Sequence, residues 1–239
     1  MEYTHVGRLG LVVSRLCLGT MNFGPHTPEE ESHRIMDAAI AEGIKYFERA
    51  IEEDASYALA YTGIADYYNW LGVFGIRPFS ECSAAAREAA SKAVALDSGS
   101  AEAYTALGFA TVCYNFDWAV AEGQHRRAIE INPNYATAHH WYGFHLLMEG
   151  RFDEALEQLL RARELDPLSP SIIQALGWCY YHMRRFDDSI ASYQSMLDAV
   201  PDFSYGLSTY SWTLRHAGDR QPGCGLRRRR RERRGPRAT

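Results

Sequence analysis

The 239 residues are 46% hydrophobic and 13% aromatic, which excludes an intrinsically disordered chain and supplies enough apolar surface for one or two folded domains. The net charge of −5 conceals an asymmetry, because residues 1–220 carry 17 basic and 29 acidic side chains, whereas residues 221–239 carry eight arginines and one glutamate. No signal peptide or membrane-spanning run is evident and the five cysteines are scattered, which favours a reducing, cytoplasmic location without a membrane partner.

The first 47 residues predict a short β-α segment. Residues 8–24 have the pattern of a turn followed by a buried strand. Thr27 suits an N-cap and Pro28 suits the first turn, so a helix is expected from there to about Glu42. Residues 44–47 predict the beginning of a second strand.

This segment resembles the start of an aldo-keto reductase, a nicotinamide-dependent β/α-barrel enzyme. The resemblance implies that Gly19, Thr20 and Met21 lie at the end of the first barrel strand, beside an NADP cofactor. It also implies a catalytic Asp after the second strand and a Tyr soon afterwards. Glu48 occupies the Asp position, and no Tyr occurs in residues 49–54.

A complete reductase barrel does not fit in this chain. A closed barrel needs eight strand-helix units in roughly 250 residues, whereas the resemblance covers about a fifth of the sequence. We therefore expect a non-catalytic fragment joined by gene fusion, so that the protein is no enzyme and has no cofactor. A truncated, inactive NADP-dependent oxidoreductase is the alternative function, and a short β-α cap on the first repeat is the alternative structure.

From residue 48 to 217 the chain repeats with a period of 34 residues. Pro133, Pro167 and Pro201 each follow a helical pattern that proline would end, because it lacks an N–H and clashes with the preceding turn. Small residues recur in the first helix of successive copies, at Gly108, Gly143, Gly177 and Ser211. A small residue lets the paired helix approach closely. One such hairpin cannot bury its apolar stripe alone, so neighbouring hairpins must stack.

These residues resemble the tetratricopeptide repeat family, which implies an all-α, right-handed α-solenoid of antiparallel helix pairs. The copies are residues 58–98, with an insertion at 73–80; residues 101–134, with one extra residue near Asp117; and residues 136–169 and 170–203. Residues 46–54 resemble the second helix of an earlier copy, and residues 204–217 form the first helix of a copy that lacks its partner. The unpaired helices at the two ends predict self-association.

Residues 218–239 predict a disordered basic tail. The arginines of residues 227–234 have the charge to bind phosphate groups. However, the run interrupts a repeat and lacks regularly placed aromatic or glycine residues. We interpret it as the product of a lost reading frame and do not expect nucleic acid as a partner.

One side of the first helices carries a large aromatic residue at an equivalent position in four copies: Phe109, Phe144, Trp178 and Trp212. The resemblance implies that this side faces a concave groove. The residues three positions further on share the same face: Val112, Leu147, Tyr181 and Arg215. His140, Gln174 and Ser208 stand in places comparable to those of the lysines and asparagines with which some members clamp a terminal carboxylate, so such a clamp is not expected.

The sequence therefore predicts a non-enzymatic scaffold that binds a peptide or a partner helix in this groove. The resemblance also suggests the repeat part of a bacterial regulator. Packing of the aromatics between adjacent repeats is the alternative. No metal site is expected, because the densest histidine group, His139, His140 and His145, contains no pair four residues apart on one helix.

Overall fold

The computed structural model describes residues 3–6, 11–14, 42–73, 76–199 and 204–218. Strands β1 (Tyr3–Val6) and β2 (Leu11–Ser14) form an antiparallel hairpin, and β2 lies within the stretch predicted to contain a strand. Gly19, Thr20 and Met21, most of the helix predicted from Pro28, and the basic tail lie outside the described residues.

Helices account for most of the rest of the described chain. They are α1 (residues 42–53), α2 (Ala58–Val73), α3 (Phe79–Leu96), α4 (Ala101–Ala110), α5 (Trp118–Ile131), α6 (Ala136–Met148), α7 (Phe152–Leu165), α8 (Pro170–His182), α9 (Phe186–Ala199) and α10 (Ser204–Gly218). Helices α2 to α9 pair in sequence as hairpins. The first helices of neighbouring hairpins, from α2 to α10, also contact one another. The predicted all-α solenoid of antiparallel helix pairs is confirmed.

Helix α1 corrects one prediction. Residues 44–47 are helical, so the strand predicted there is wrong. The cause is tertiary packing: the ring of Phe47 lies so close to Gly63 of α2 that a Cβ at Gly63 would overlap it. A helix places Phe47, Ala50 and Ile51 on one face, three and four residues apart, and that face can pack on α2. Glu48, which the reductase resemblance places after a barrel strand, lies inside this helix.

The repeated glycine of three first helices lies in close contact with the second helix of its repeat. A Cβ at Gly143 would lie 2.7 Å from Leu159, and a Cβ at Gly177 would lie 2.7 Å from Tyr193. Leu159 and Tyr193 occupy the same place in successive second helices, and both are fully buried. The repeated glycine thus makes room for one large side chain from the paired helix, as the 34-residue pattern predicted.

The third such pair is chemically different. His125 of α5 packs over Gly108 of α4, where a Cβ would lie 2.7 Å from its ring. The His125 side chain is fully buried, and neither ring nitrogen has a hydrogen-bond partner. The buried ring of His145 stands edge-on to it, with ring centroids 5.5 Å apart. Loss of water around the ring, reinforced by His145, lowers the pKa of His125 to about 3.

The extra residue of this repeat is taken up by a π-helical turn. Residues 111–115 continue α4 with π-helical hydrogen bonding, which inserts one residue without ending the helix. Gly108 and His125 are therefore 17 residues apart in the sequence, whereas Gly143 and Leu159 are 16 apart. The chain then turns at Phe116, whose φ of 54° lies in the left-handed region. The π turn thus keeps His125 opposite its glycine despite the insertion.

A charged cluster joins two neighbouring repeats. Arg151, in the turn between α6 and α7, contacts Glu122 of α5 at 3.1 Å and Glu154 of α7 at 2.6 Å. The Tyr142 hydroxyl also donates to Glu122, at 2.7 Å. These hydrogen bonds, with that from Arg151 the strongest, lower the pKa of Glu122 to about 2. The cluster fixes the α5 side of one repeat to the turn of the next.

Candidate partner-binding face

A row of five aromatic side chains crosses the first helices of four repeats. The rings of Phe109 and Trp141 lie with centroids 4.2 Å apart, and Trp70 is 5.6 Å from Trp141. Trp141 lies 5.8 Å from Phe144, which is 6.3 Å from Trp178. We call this row, Trp70, Phe109, Trp141, Phe144 and Trp178, the aromatic ladder. It connects α2, α4, α6 and α8.

Two members of the ladder were missed by the sequence reasoning. Trp141 precedes Phe144 by three residues, and this spacing, which places side chains on one helical face, was the signal that could have identified it. Trp70 had no such signal, because α2 carries Asp66 at the place that Phe109 occupies in α4. The stacking of α2 against α4 is what brings Trp70 to Phe109, with ring centroids 6.5 Å apart.

The predicted groove residues differ in exposure. Phe144, Trp178 and Tyr181 are half-buried, and Trp212 and Arg215 of α10 are exposed. The remaining predicted residues are buried: Phe109, Val112, His140, Leu147 and Gln174. A buried side chain offers little area to a ligand. The five buried residues therefore pack beneath the exposed and half-buried ones and have little area with which to contact a partner.

A cavity of about 160 Å³ lies beside the end of the aromatic ladder that contains Trp70, Phe109 and Trp141. Its aromatic wall consists of Trp70, Phe109, Tyr135 and Trp141. The other lining residues include three acids, Asp66, Glu102 and Asp166, and no lysine or arginine is among the described residues that line it. We call this cavity the acidic pocket.

The electrostatics of the acidic pocket are unbalanced. The side chain of Asp66 is exposed at the pocket, yet the neighbouring protein displaces enough water to raise the pKa of its carboxyl to about 7. The pKa of Tyr135 is also raised, mainly by burial and further by the nearby carboxylates of Asp66 and Glu102. His140 stacks on Trp141 with ring centroids 4.6 Å apart, and burial lowers the pKa of His140 to about 4. The described residues that line the pocket thus include three acidic side chains and no lysine or arginine that would compensate their charge.

Metal-binding and membrane-spanning features are not found in the described ranges. No three His, Cys, Asp or Glu side chains in these ranges are placed to hold a metal ion. Within the same ranges, no helix is both long enough and apolar enough to cross a bilayer.

On α10, Leu207, Trp212 and Leu214 are exposed. The self-association expected from such an end remains a prediction.

Comparisons with known proteins agree with the architecture. Two tetratricopeptide repeat family models match residues 114–170 and 146–209. TTC0263, a thermophilic TPR protein of Thermus thermophilus, has a similar crystal structure with a TM-score of 0.64 and 24% identity, covering 76% of this chain and 94% of that chain.

Two relatives match different lengths of the chain. The uncharacterized oxidoreductase YrpG of Bacillus subtilis is 62% identical over 50 residues, which is 21% of this chain and 15% of that protein. The transcriptional regulator HilA of Salmonella typhimurium is 23% identical over 162 residues, which is 68% of this chain and 29% of that protein. The chain thus spans less than a third of either relative. Residues 114–209 thus match the tetratricopeptide repeat family, and the helical stack has the architecture of such repeats.

Proposed function

We propose that the protein is a non-enzymatic scaffold that binds an extended peptide or a partner helix along the aromatic ladder. The supporting observation is that the ladder continues without a break across four repeats. Trp70 is 41% exposed, and Trp141, Phe144 and Trp178 are half-buried. Aromatic side chains fixed in this way lose little entropy on binding and supply large contact areas, which is why they are frequent at the centres of interfaces.

A role as the repeat part of a bacterial regulator is consistent with one relative. HilA is a transcriptional regulator, and its match extends over 68% of this chain but only 29% of HilA. We propose that the solenoid serves an assembly or regulatory role of that kind, in which it recognises a protein rather than nucleic acid.

An oxidoreductase function is supported by a single observation, the 50-residue match to YrpG. Residues 42–53, 58–73 and most of 79–199 are helical, whereas a closed β/α barrel needs eight strand-helix units. The segment that resembles a reductase, residues 1–47, overlaps the first residues of helix α1 (residues 42–53). We propose that this segment contributes no NADP-dependent activity.

Removal of two ladder rings tests the scaffold proposal. Peptides are first selected from a random displayed library against the full chain, and their affinity is then measured by isothermal titration. We expect Phe144→Ala combined with Trp178→Ala to weaken the selected peptides at least tenfold, because two aromatic anchors are lost and tenfold corresponds to about 1.4 kcal/mol.

The matched control removes an apolar side chain elsewhere. Leu168, in the turn between α7 and α8, is 77% exposed, and Leu168→Ala is expected to leave affinity unchanged. Circular dichroism checks the fold of each variant. If the alanine pair unfolds, Phe144→Leu with Trp178→Leu keeps apolar volume while removing the aromatic faces. Unchanged affinity in a folded ladder variant would refute the proposal.

A further inference from the structure

The acidic pocket has the features of a site for a cation on an aromatic surface. Two tryptophans, a phenylalanine and a tyrosine line it, together with the acidic residues Asp66, Glu102 and Asp166. The π faces of tryptophan and tyrosine attract cations, and carboxylates accept the hydrogen bonds that a cation donates. The described lining residues include no lysine or arginine that would neutralise those carboxylates.

A buried polar side chain, that of Asn69, points independently to a ligand. Asn69 is 1% exposed and lines the pocket; its Nδ2 donates to the carbonyl of Ala106 at 3.3 Å, but its Oδ1 has no hydrogen-bond partner. A buried acceptor that lacks a hydrogen-bond partner is destabilising. His140, 7% exposed, also lines the pocket. A donor group that reaches Oδ1 of Asn69 from the pocket would satisfy this acceptor, which a purely apolar ligand would not do.

The shape and chemistry of these groups select one kind of occupant. A guanidinium is planar, so it can stack on an indole while its five N–H groups reach acceptors in its own plane. The pocket offers both an indole wall and several acceptors. Its volume of about 160 Å³ suits one side chain rather than a folded element.

We infer that the acidic pocket receives an arginine side chain of the partner peptide, stacked against Trp70 and Trp141 and hydrogen-bonded to Asp66 and Asn69. This inference rests on the proposed function, because it adds a specificity pocket to the face on which that peptide lies. Loss of water raises the pKa of Asp66, and a cation bound beside the carboxyl would lower it again. The net charge of −12 over residues 1–220 also favours a basic partner.

A minimal peptide tests the inference directly. The probe is acetyl-Ala-Ala-Arg-Ala-Ala-amide, titrated into the full chain, with tryptophan fluorescence as the readout because Trp70 and Trp141 line the pocket. The control peptide carries citrulline, which keeps the planar shape and removes the charge. We expect saturable binding of the arginine peptide and at least tenfold weaker binding of the citrulline peptide.

Variants locate the binding. Asp66→Asn, which is nearly isosteric, is expected to weaken the arginine peptide at least tenfold. Glu164→Gln, which removes an equal charge from an exposed position on α7, is expected to change the affinity less than twofold. Thermal unfolding confirms that each variant is folded. Equal affinity for arginine and citrulline, or equal losses in the two variants, would overturn the inference.

The outcomes separate this inference from the scaffold proposal. Displayed peptides that depend on Phe144 and Trp178 but not on any arginine would overturn the pocket assignment and leave the scaffold intact. Failure of the ladder variants to weaken any peptide, together with arginine-specific loss in Asp66→Asn, would retain the pocket and overturn binding along the ladder.

Discussion

Replacement of His125 by leucine is expected to raise the free energy of unfolding by about 1–3 kcal/mol at pH 7, because it removes two buried ring nitrogens that have no hydrogen-bond partner. Leucine fits the site, since Leu159 occupies the equivalent place over Gly143 in the next repeat. The other expected effect is on pH dependence. Burial lowers the pKa of His125 to about 3, from an ordinary value of 6.5.

The sign of the pH effect follows from proton binding. Below pH 6.5 the unfolded chain takes up a proton at His125, whereas the folded chain does so only near pH 3. The stability that depends on neutral His125 is therefore present above pH 6.5 and declines progressively as the pH falls towards 3. At about 1.4 kcal/mol per pH unit, the advantage of His125→Leu should grow by about 2 kcal/mol between pH 7 and pH 5.

Urea denaturation of the two proteins at pH 7 and pH 5 measures both effects. His139→Leu is the control, because both ring nitrogens of His139 have contacts, with Gln158 at 2.8 Å and with the carbonyl of Pro133 at 3.0 Å. That substitution is expected to destabilise the protein. A His125→Leu protein that is less stable than the parent at pH 7, or equally sensitive to acid, would contradict the account of this site.

The substitution Gly143→Ala is expected to lower the free energy of unfolding by about 2–3 kcal/mol. The new Cβ would lie 2.7 Å from Cγ of Leu159 and 3.2 Å from the backbone oxygen of Ala155. Neither atom lies at the free end of a flexible side chain, so α6 and α7 must separate within the hydrophobic cluster that joins α6, α7 and α8. Overpacking of this kind outweighs the gain in helix propensity from glycine to alanine.

The same chemical change at Gly123 provides the control. Gly123 lies within α5, and a Cβ there meets nothing within 4 Å. Gly123→Ala should therefore stabilise the protein by about 0.5–1 kcal/mol through helix propensity alone. Thermal unfolding of the two variants side by side measures the difference. An equal change in thermal stability in the two variants would contradict the claim that close helix contact at Gly143 stabilises the repeat.

The repeated architecture could be predicted because its signals are local and periodic. The prolines and Gly143 follow the 34-residue period. The extra residue near Asp117 shifts that period by one, and both signals can be read from the sequence alone. The strand predicted at residues 44–47 was wrong because its local preference was overridden by the packing of Phe47 on Gly63. The resemblance of residues 46–54 to the second helix of a repeat was the signal in the sequence that favoured the observed helix.

The acidic pocket could not be predicted, for a different reason. Asp66 lies in the interior of α2, whereas Asp166 follows the end of α7, so the two occupy unrelated positions in their repeats. Their assembly depends on how four first helices stack, which the 34-residue period does not encode. The ladder was partly predictable, because Phe144 and Trp178 are equivalent positions, but its continuity depends on Trp141.

Hydrogen–deuterium exchange of the protein with and without a selected peptide tests the central claim, that the partner lies along the aromatic ladder. The first helices α4, α6 and α8 carry the ladder, whereas α5, α7 and α9 pack behind them. We predict slower exchange in α4, α6 and α8 and unchanged exchange in α5, α7 and α9. Protection confined to the second helices, or no protection at saturating peptide, would contradict the proposed binding face.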